Sequence, residues 1–220
     1  MKTYIQHTCH INSQTISLDG RILYFQRDCN DITDFLKTSY RHFQFDYPKF
    51  FKMDNLCKLA FLTTELLVKE LEISKLSKEN IGIVLGNRSS SILSDLTHQK
   101  SIQNNSQYFP SPAVFVYTLP NIMMGEMCIR HGFTNENTLF VSDSFNPEIL
   151  KSYTNYLINQ NIVEHCICGW IDASVDNYEA FFYFVTPQQI LALETHSATN
   201  INHLRSLDTK IHKNSPILIA

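Results

Sequence analysis

Residues Pro110–Ser144 read PSPAVFVYTLPNIMMGEMCIRHGFTNENTLFVSDS, and the order of breakers and apolar runs in this stretch decides the fold. Pro110 and Pro112 mark a loop. Pro120 is expected in the first turn of a helix reaching about Ile129, where its ring fits and its missing N–H costs nothing. Gly125 then lies inside that helix, at a cost of about 1 kcal/mol relative to alanine, which implies close backbone packing. His131-Gly132 ends the helix, with His131 expected at its C-terminal cap, and Thr138–Ser142 reads as a strand. Asp143 and Ser144 fall on the turn that follows, and Pro147 opens a helix through Asn159.

Outward from there, strand and helix alternate. Upstream, Leu56, Leu59, Ala60, Leu67 and Leu71 recur at helical spacing behind Asp54, a good N-cap. Ile81–Gly86 is a continuous apolar run, as expected of a parallel strand covered on both faces. A helix is expected near Ile92–Gln103, and the polar segment Asn104–Gln107 reads as a loop. At the N-terminus, Thr3–Ile5 and Ile22–Phe25 read as short strands, and the aromatic-rich Asp34–Phe51 as an irregular connection. Downstream, Ile162–Ile171 and Phe181–Val185 read as buried strands, Pro187 as the start of a last helix over Gln188–Glu194. The division expected is one domain over residues 1–195 and a polar C-terminal tail over 196–220. This alternation is that of a layered α/β domain with a mostly parallel central sheet covered by helices.

Composition narrows the function classes. Hydrophobic residues make up 44% and aromatics 12%, enough for a sizeable core. The formal charge is −3 and no stripe of Lys or Arg forms, which speaks against nucleic acid or an anionic membrane as partner. No apolar run approaches the ~20 residues of a membrane span, and the polar N-terminus is unlike a signal peptide, so the cytoplasm is the expected compartment. Six cysteines without framework spacing fit reduced thiols. Cys166-Ile167-Cys168, with its thiols taken to face opposite sides of a strand, reads as a buried structural pair and not a metal site.

The order of Gly86, Thr118-Leu119-Pro120-Asn121, Gly125-Glu126, His131-Gly132 and the following strand resembles the N-terminal half of the β-ketoacyl synthases, members of the thiolase-like family. The resemblance covers roughly residues 1–185. It implies a single N-terminal-type half of that fold, and pairing of two subunits through the Thr138–Ser142 strand. Where those enzymes carry a nucleophilic cysteine at a helix N-terminus, counting from Gly132 places Ser144, the one candidate catalytic residue, with Asp143 beside it. The catalytic histidines of the family belong to a second half-fold, for which the chain after residue 185 has no room. His196 and His203 are expected to be solvent-exposed, and His165 to precede its strand without a role. Glu126 and Glu136 read as members of a solvated face, Trp170 as core. Ser89, Ser90 and Ser91 lack a nucleophile-elbow pattern, and Gly82 and Gly86 are too sparse for a phosphate loop. Neither residues nor resemblance calls for a cofactor or a metal.

Two functions follow as expectations. The first is a non-catalytic ketosynthase-like subunit of fatty-acid, polyketide or polyene-pigment biosynthesis, paired with a full-length synthase, with itself, or with an acyl carrier protein. The second is an acyl-thioester transferase or 3-oxoacyl synthase that uses Ser144 or a site completed by a partner.

Overall fold

The computed structural model describes residues 1–27, 29, 31–71, 76–103, 110–174 and 177–214, with side chains to 207. Its strands are β1 (Tyr4–Asn12), β2 (Thr15–Leu18), β3 (Arg21–Phe25), β4 (Ile81–Asn87), β5 (Asn137–Val141), β6 (His165–Ala173), β7 (Tyr178–Thr186) and β8 (Glu194–Thr195). Its α-helices are α1 (Ile32–His42), α2 (Asn55–Glu70), α3 (Ile92–Ile102), α4 (Pro112–Val116), α5 (Ile122–His131), α6 (Pro147–Asn159) and α7 (Ala198–Asn214).

One sheet runs β3-β2-β1-β7-β6-β4-β5, with β8 paired to β1. The pairings β4–β5 and β4–β6 are parallel, while β7 is antiparallel to both of its neighbours, β6 and β1. In the five central strands, β1, β6, β4 and β5 therefore share one direction and β7 alone opposes them. The sheet is thus mixed, parallel over β6-β4-β5 and antiparallel elsewhere, within the layered α/β class the sequence implied. Antiparallel β2 and β3 extend it at one end through tight turns. Ser13, Gln14 and Asp19 take positive φ there, beside Gly20.

Two cores form because the central strands are apolar on both faces. Ile81, Ile83 and Leu85 of β4 pack with Ile167, Ile171, Phe182 and Phe184 under α1, α2 and α5. Val84 points the other way, with Cys166, Cys168, Phe181 and Tyr183, against Leu150, Leu157 and Ile158 of α6 and Ile201 of α7. All seven residues of β4 are buried, as its continuous apolar run required. Helix α2 starts where Asp54 Oδ1 accepts from the Cys57 amide at 2.8 Å. Helix α5 ends at Gly132, whose φ of 75° is the left-handed C-cap that glycine adopts without strain.

Several sequence expectations give way to tertiary packing. Asp34–Phe51 is not irregular: α1 lies there, capped by Asp31, followed by a 3-10 turn at Pro48–Lys52. Its aromatic rings stack in a cluster around Tyr40, Phe50 and Phe61, a pattern that masked the helical period. Pro120 sits ahead of the N-cap Asn121 and not in the first turn of α5. Gly125 is not a packing contact, since a Cβ there would meet nothing within 4 Å. Gln188–Glu194 forms no helix. The Leu193 amide donates to the Ile5 carbonyl at 2.7 Å and that of His196 to Thr3 at 2.9 Å, so the segment edges along β1. The segment expected as a polar tail carries α7, which buries Ile201. The loop expected at Asn104–Gln107 lies outside the described residues.

The tightest constraint is Gly169 in β6. A Cβ there would sit 2.1 Å from the Phe181 carbonyl oxygen and 2.9 Å from Phe182 Cα, both backbone of the adjoining β7. Gly169→Ala is expected to lose on the order of 3 kcal/mol of stability by forcing the β6–β7 ladder apart. Urea unfolding measures it, and a loss under about 0.5 kcal/mol would contradict this packing.

Candidate functional site

The carboxyl ends of parallel strands are where open α/β sheets place their ligands. Here β4 ends in Asn87, β5 runs on to Asp143 and Ser144, and β6 reaches Asp172. Between them lies a cleft of about 440 Å³, lined by these three last-named residues with Arg88, Phe145, Trp170, Glu179 and Arg205 among others.

Asp172 organises one wall. Its Oδ1 accepts from the Ser89 amide at 2.7 Å and the Arg88 amide at 3.2 Å, and Oδ2 accepts from Ser89 Oγ at 2.9 Å. Asn87 Nδ2 donates to the Ile171 carbonyl at 2.6 Å and reaches Asp172 Oδ1 at 3.3 Å. The turn after β4 is thus tied to the end of β6 by a carboxylate whose oxygens are both engaged.

Glu179 organises the opposite wall. It accepts from His10 Nε2 at 2.9 Å and from Arg205 Nε at 2.8 Å, with Arg205 Nη2 on its second oxygen at 2.5 Å. Burial pushes this carboxyl up, yet the bonds from His10 and Arg205 outweigh it and bring the pKa down to about 2. Arg205 also stacks on Phe145, its Cζ 4.7 Å from the ring centroid, and so clips α7 to the loop after Ser144.

Ser144 is exposed in this cleft, and its hydroxyl forms no hydrogen bond with a described residue, though its carbonyl accepts from Ser142 Oγ at 2.9 Å. Its φ is not left-handed, unlike the strained nucleophile elbow of hydrolases. It does not cap α6 either. Asn146 takes that place, its Oδ1 accepting from the Ile149 amide at 3.2 Å. Among the described residues no histidine lines the cleft.

The other residues singled out from sequence lie elsewhere. Glu126 is not on a solvated face: it is on the buried side of α5 and accepts from Lys49 Nζ at 2.6 Å. Glu136 takes bonds from Thr138 and Tyr153 hydroxyls at the start of β5. His131 is in the last turn of α5, 3.2 Å from Glu65, where burial lowers its pKa to about 4. His196 is buried and not solvent-exposed, with Nδ1 3.2 Å from Thr3 Oγ1 and 3.3 Å from Asn155 Oδ1, and burial lowers its pKa to about 4 as well. His203 is exposed. His165 is the first residue of β6 and buried. The thiols of Cys166 and Cys168 do not face opposite sides. Residues i and i+2 of a strand share a face, and the two contact each other in the α6-side core. Trp170 is core, as expected, and also floors the cleft. Ser90 and Ser91 lie on the far side of the Asp172 turn and line a second cavity.

Asp172, Glu179 and Arg205 went unrecognised in the sequence. Asp172 alone carried a signal, a carboxylate ending an apolar strand. Glu179 and Arg205 meet across 26 residues of chain that no motif links.

No protein-family model matches this chain, and no curated protein matches it. Solved structures do. The ishigamide ketosynthase/chain length factor superposes with a TM-score of 0.63 at 15% identity, over 88% of this chain and 64% of that one. A ketosynthase bound to a hexaketide, solved with its type II polyketide-synthase acyl-carrier protein (AntDE:AntF), gives 0.58 at 15% identity, over 86% and 63%. The ketosynthase ApeO in complex with its chain length factor ApeC from Xenorhabdus doucetiae gives 0.61 at 12% identity, over 94% and 92%. The chain thus spans a little under two thirds of the first two and nearly all of the third. Its fold is the thiolase-like fold of ketosynthases and chain length factors. No helix among its described residues is long and apolar enough to cross a membrane.

The Glu179 cluster yields a pH signature. A carboxyl held at about 2 when folded, against the usual value near 4.5 when unfolded, adds stability that is fully present above about pH 4.5. That stability fades as pH falls toward 2. Glu179→Gln is expected to cost about 2–3 kcal/mol at pH 7, and to flatten the fall in urea stability between pH 5 and 3. Parallel pH profiles for the variant and the wild type would contradict the assignment.

Proposed function

We propose that this chain, built on the ketosynthase fold, is a non-catalytic subunit of fatty-acid or polyketide-type assembly that works by pairing with a ketosynthase and by docking an acyl carrier protein. The open edge of β5 carries this reading. Among the described residues that strand ends the sheet and pairs with β4 alone. Val141 is 58% exposed at its end, and on the α6 side Tyr156 is 53% and Ile149 39% exposed. Phe140, Ile149, Tyr153 and Tyr156 line an apolar depression along the same edge. An unpaired strand flanked by apolar side chains is stabilised by a partner strand that continues the sheet.

Chemistry supports the same reading. A serine hydroxyl acts as a nucleophile when a base takes its proton. Ser144 has no such base at hydrogen-bonding distance, Asp143 beside it disfavours an oxyanion, and the carboxylates across the cleft are bound by Ser89, His10 and Arg205. The solved relatives include a ketosynthase with its chain length factor and a ketosynthase with its carrier protein, assemblies of the kind proposed here.

One observation favours a second reading. Ser144 is exposed in a cleft at the carboxyl ends of the parallel strands. A partner supplying a base would make it an acyl acceptor.

Two measurements separate these readings. Native mass spectrometry of the chain mixed with a candidate ketosynthase is expected to show a one-to-one complex. Val141→Lys should weaken it by at least about tenfold through the desolvated charge at the edge. A chain that remains monomeric, with no affinity for synthase or carrier protein, overturns the first reading. Intact mass after incubation with malonyl- or acyl-loaded carrier protein, with the synthase present, is expected to show no acyl adduct. An adduct lost in Ser144→Ala establishes the second reading instead.

A further inference from the structure

On the opposite side of the Asp172 turn lies a cavity of about 310 Å³, bounded by the first turns of α2 and α3. Its lining includes Lys58, Ser90, Leu93, Ser94 and Asp54. Lys58 is only 6% exposed, yet its ammonium makes no hydrogen bond or ion pair with a described residue. Burial, and then the positive charge of Lys37, work against its protonation and outweigh the Asp54 carboxylate in the same lining, which favours it.

Helix α3 adds a second, independent vacancy. Its N-cap, Ser91, forms no side-chain cap, because its Oγ donates to Asp95 at 3.0 Å and to the Thr118 carbonyl at 2.8 Å. The Ile92 amide donates to Ser89 and that of Asp95 to Ser91, but the amides of Leu93 and Ser94 between them find no acceptor among the described residues. The Ser90 hydroxyl is uncommitted as well. Helix α2 differs, since Asp54 caps it through Oδ1. Asp54 Oδ2 accepts from Ser94 Oγ at 2.7 Å, so the one acidic group in the lining is engaged at both oxygens.

An ammonium, two first-turn amides and a hydroxyl, all lacking acceptors, surround one space. We infer that this cavity binds a phosphate group, held by Lys58, the Leu93 and Ser94 amides and the Ser90 hydroxyl. The donors outnumber the two oxygens of a carboxylate, whereas a tetrahedral phosphate offers each of them an acceptor. Lys58 supplies the point charge and α3 the oriented amides. The site is independent of the pairing edge, which lies across the sheet end on β5.

The test is a titration of the full chain with inorganic phosphate in a non-phosphate buffer, at ionic strength matched with sodium chloride, followed by amide NMR. Saturable shifts are expected at Leu93 and Ser94. Lys58→Met should weaken the titration by about tenfold or more with an unchanged circular dichroism spectrum, and Lys58→Arg should retain most of it. Linear, non-saturating shifts, shifts confined to other regions, or undiminished binding by Lys58→Met would overturn the inference. If Lys58→Met does not fold, the location of the wild-type shifts decides. Malonate serves as the carboxylate probe, and saturation by malonate without saturation by phosphate would overturn the phosphate assignment.

Discussion

Everything in this molecule depends on β4 being buried along its whole length between β5 and β6. A strand with apolar side chains on both faces is stable only when helices cover both, and when its backbone groups are paired on both sides. That single requirement calls for α2 and α5 above, α6 and α7 below, and parallel neighbours reached by crossover connections. It also fixes where polar groups emerge. The ends of β4 and β6 come level with each other in register, so Asn87 and Asp172 meet and bind the Arg88–Ser91 turn. Two cavities open on either side of that turn, one toward Ser144 and one toward Lys58.

Two carboxylates of the larger cleft serve its architecture. Asp172 holds a turn, and Glu179 holds His10 and Arg205, which joins the first strand, the seventh and the last helix. A carboxylate bound from several sides is a poor proton acceptor, because releasing its donors would leave them unpaired in a half-buried site. Ser144 stands exposed in the cleft beside them, its hydroxyl bonded to neither carboxylate. The smaller cavity presents the converse case, with donors that find no acceptor among the described residues.

Legibility tracked the range of the interactions involved. Helices α2 and α6 were readable because their caps and apolar faces are local: Asp54 and Asn146 each accept an amide three residues on, and Pro147 starts α6. Strands β4, β5, β6 and β7 were readable from short apolar runs between breakers. The resemblance to ketosynthases, carried on the order of a few glycines and a Leu-Pro-Asn step, pointed to the right fold and to β5 as an edge. Where the outcome hinged on distant partners, sequence reasoning erred. Helix α1 hid within an aromatic cluster assembled with Phe61 of α2. The expected helix after Pro187 yielded to pairing with β1. His196, polar by type, was buried against Thr3, 193 residues upstream, and Asn155, 41 residues upstream.

By itself, then, the sequence determined the elements whose periodicity and caps are local, and hence the layered α/β class. Tertiary structure alone decided the electrostatics. Whether a carboxylate is a base or a brace depends on which donors reach it, and those of Glu179 come from residues 169 positions upstream and 26 downstream. The same holds for Lys58, which folding buries beside Asp54 in the cavity that the first turns of α2 and α3 bound. Local composition sets which groups a segment offers. Only folding sets which of them remain without a partner.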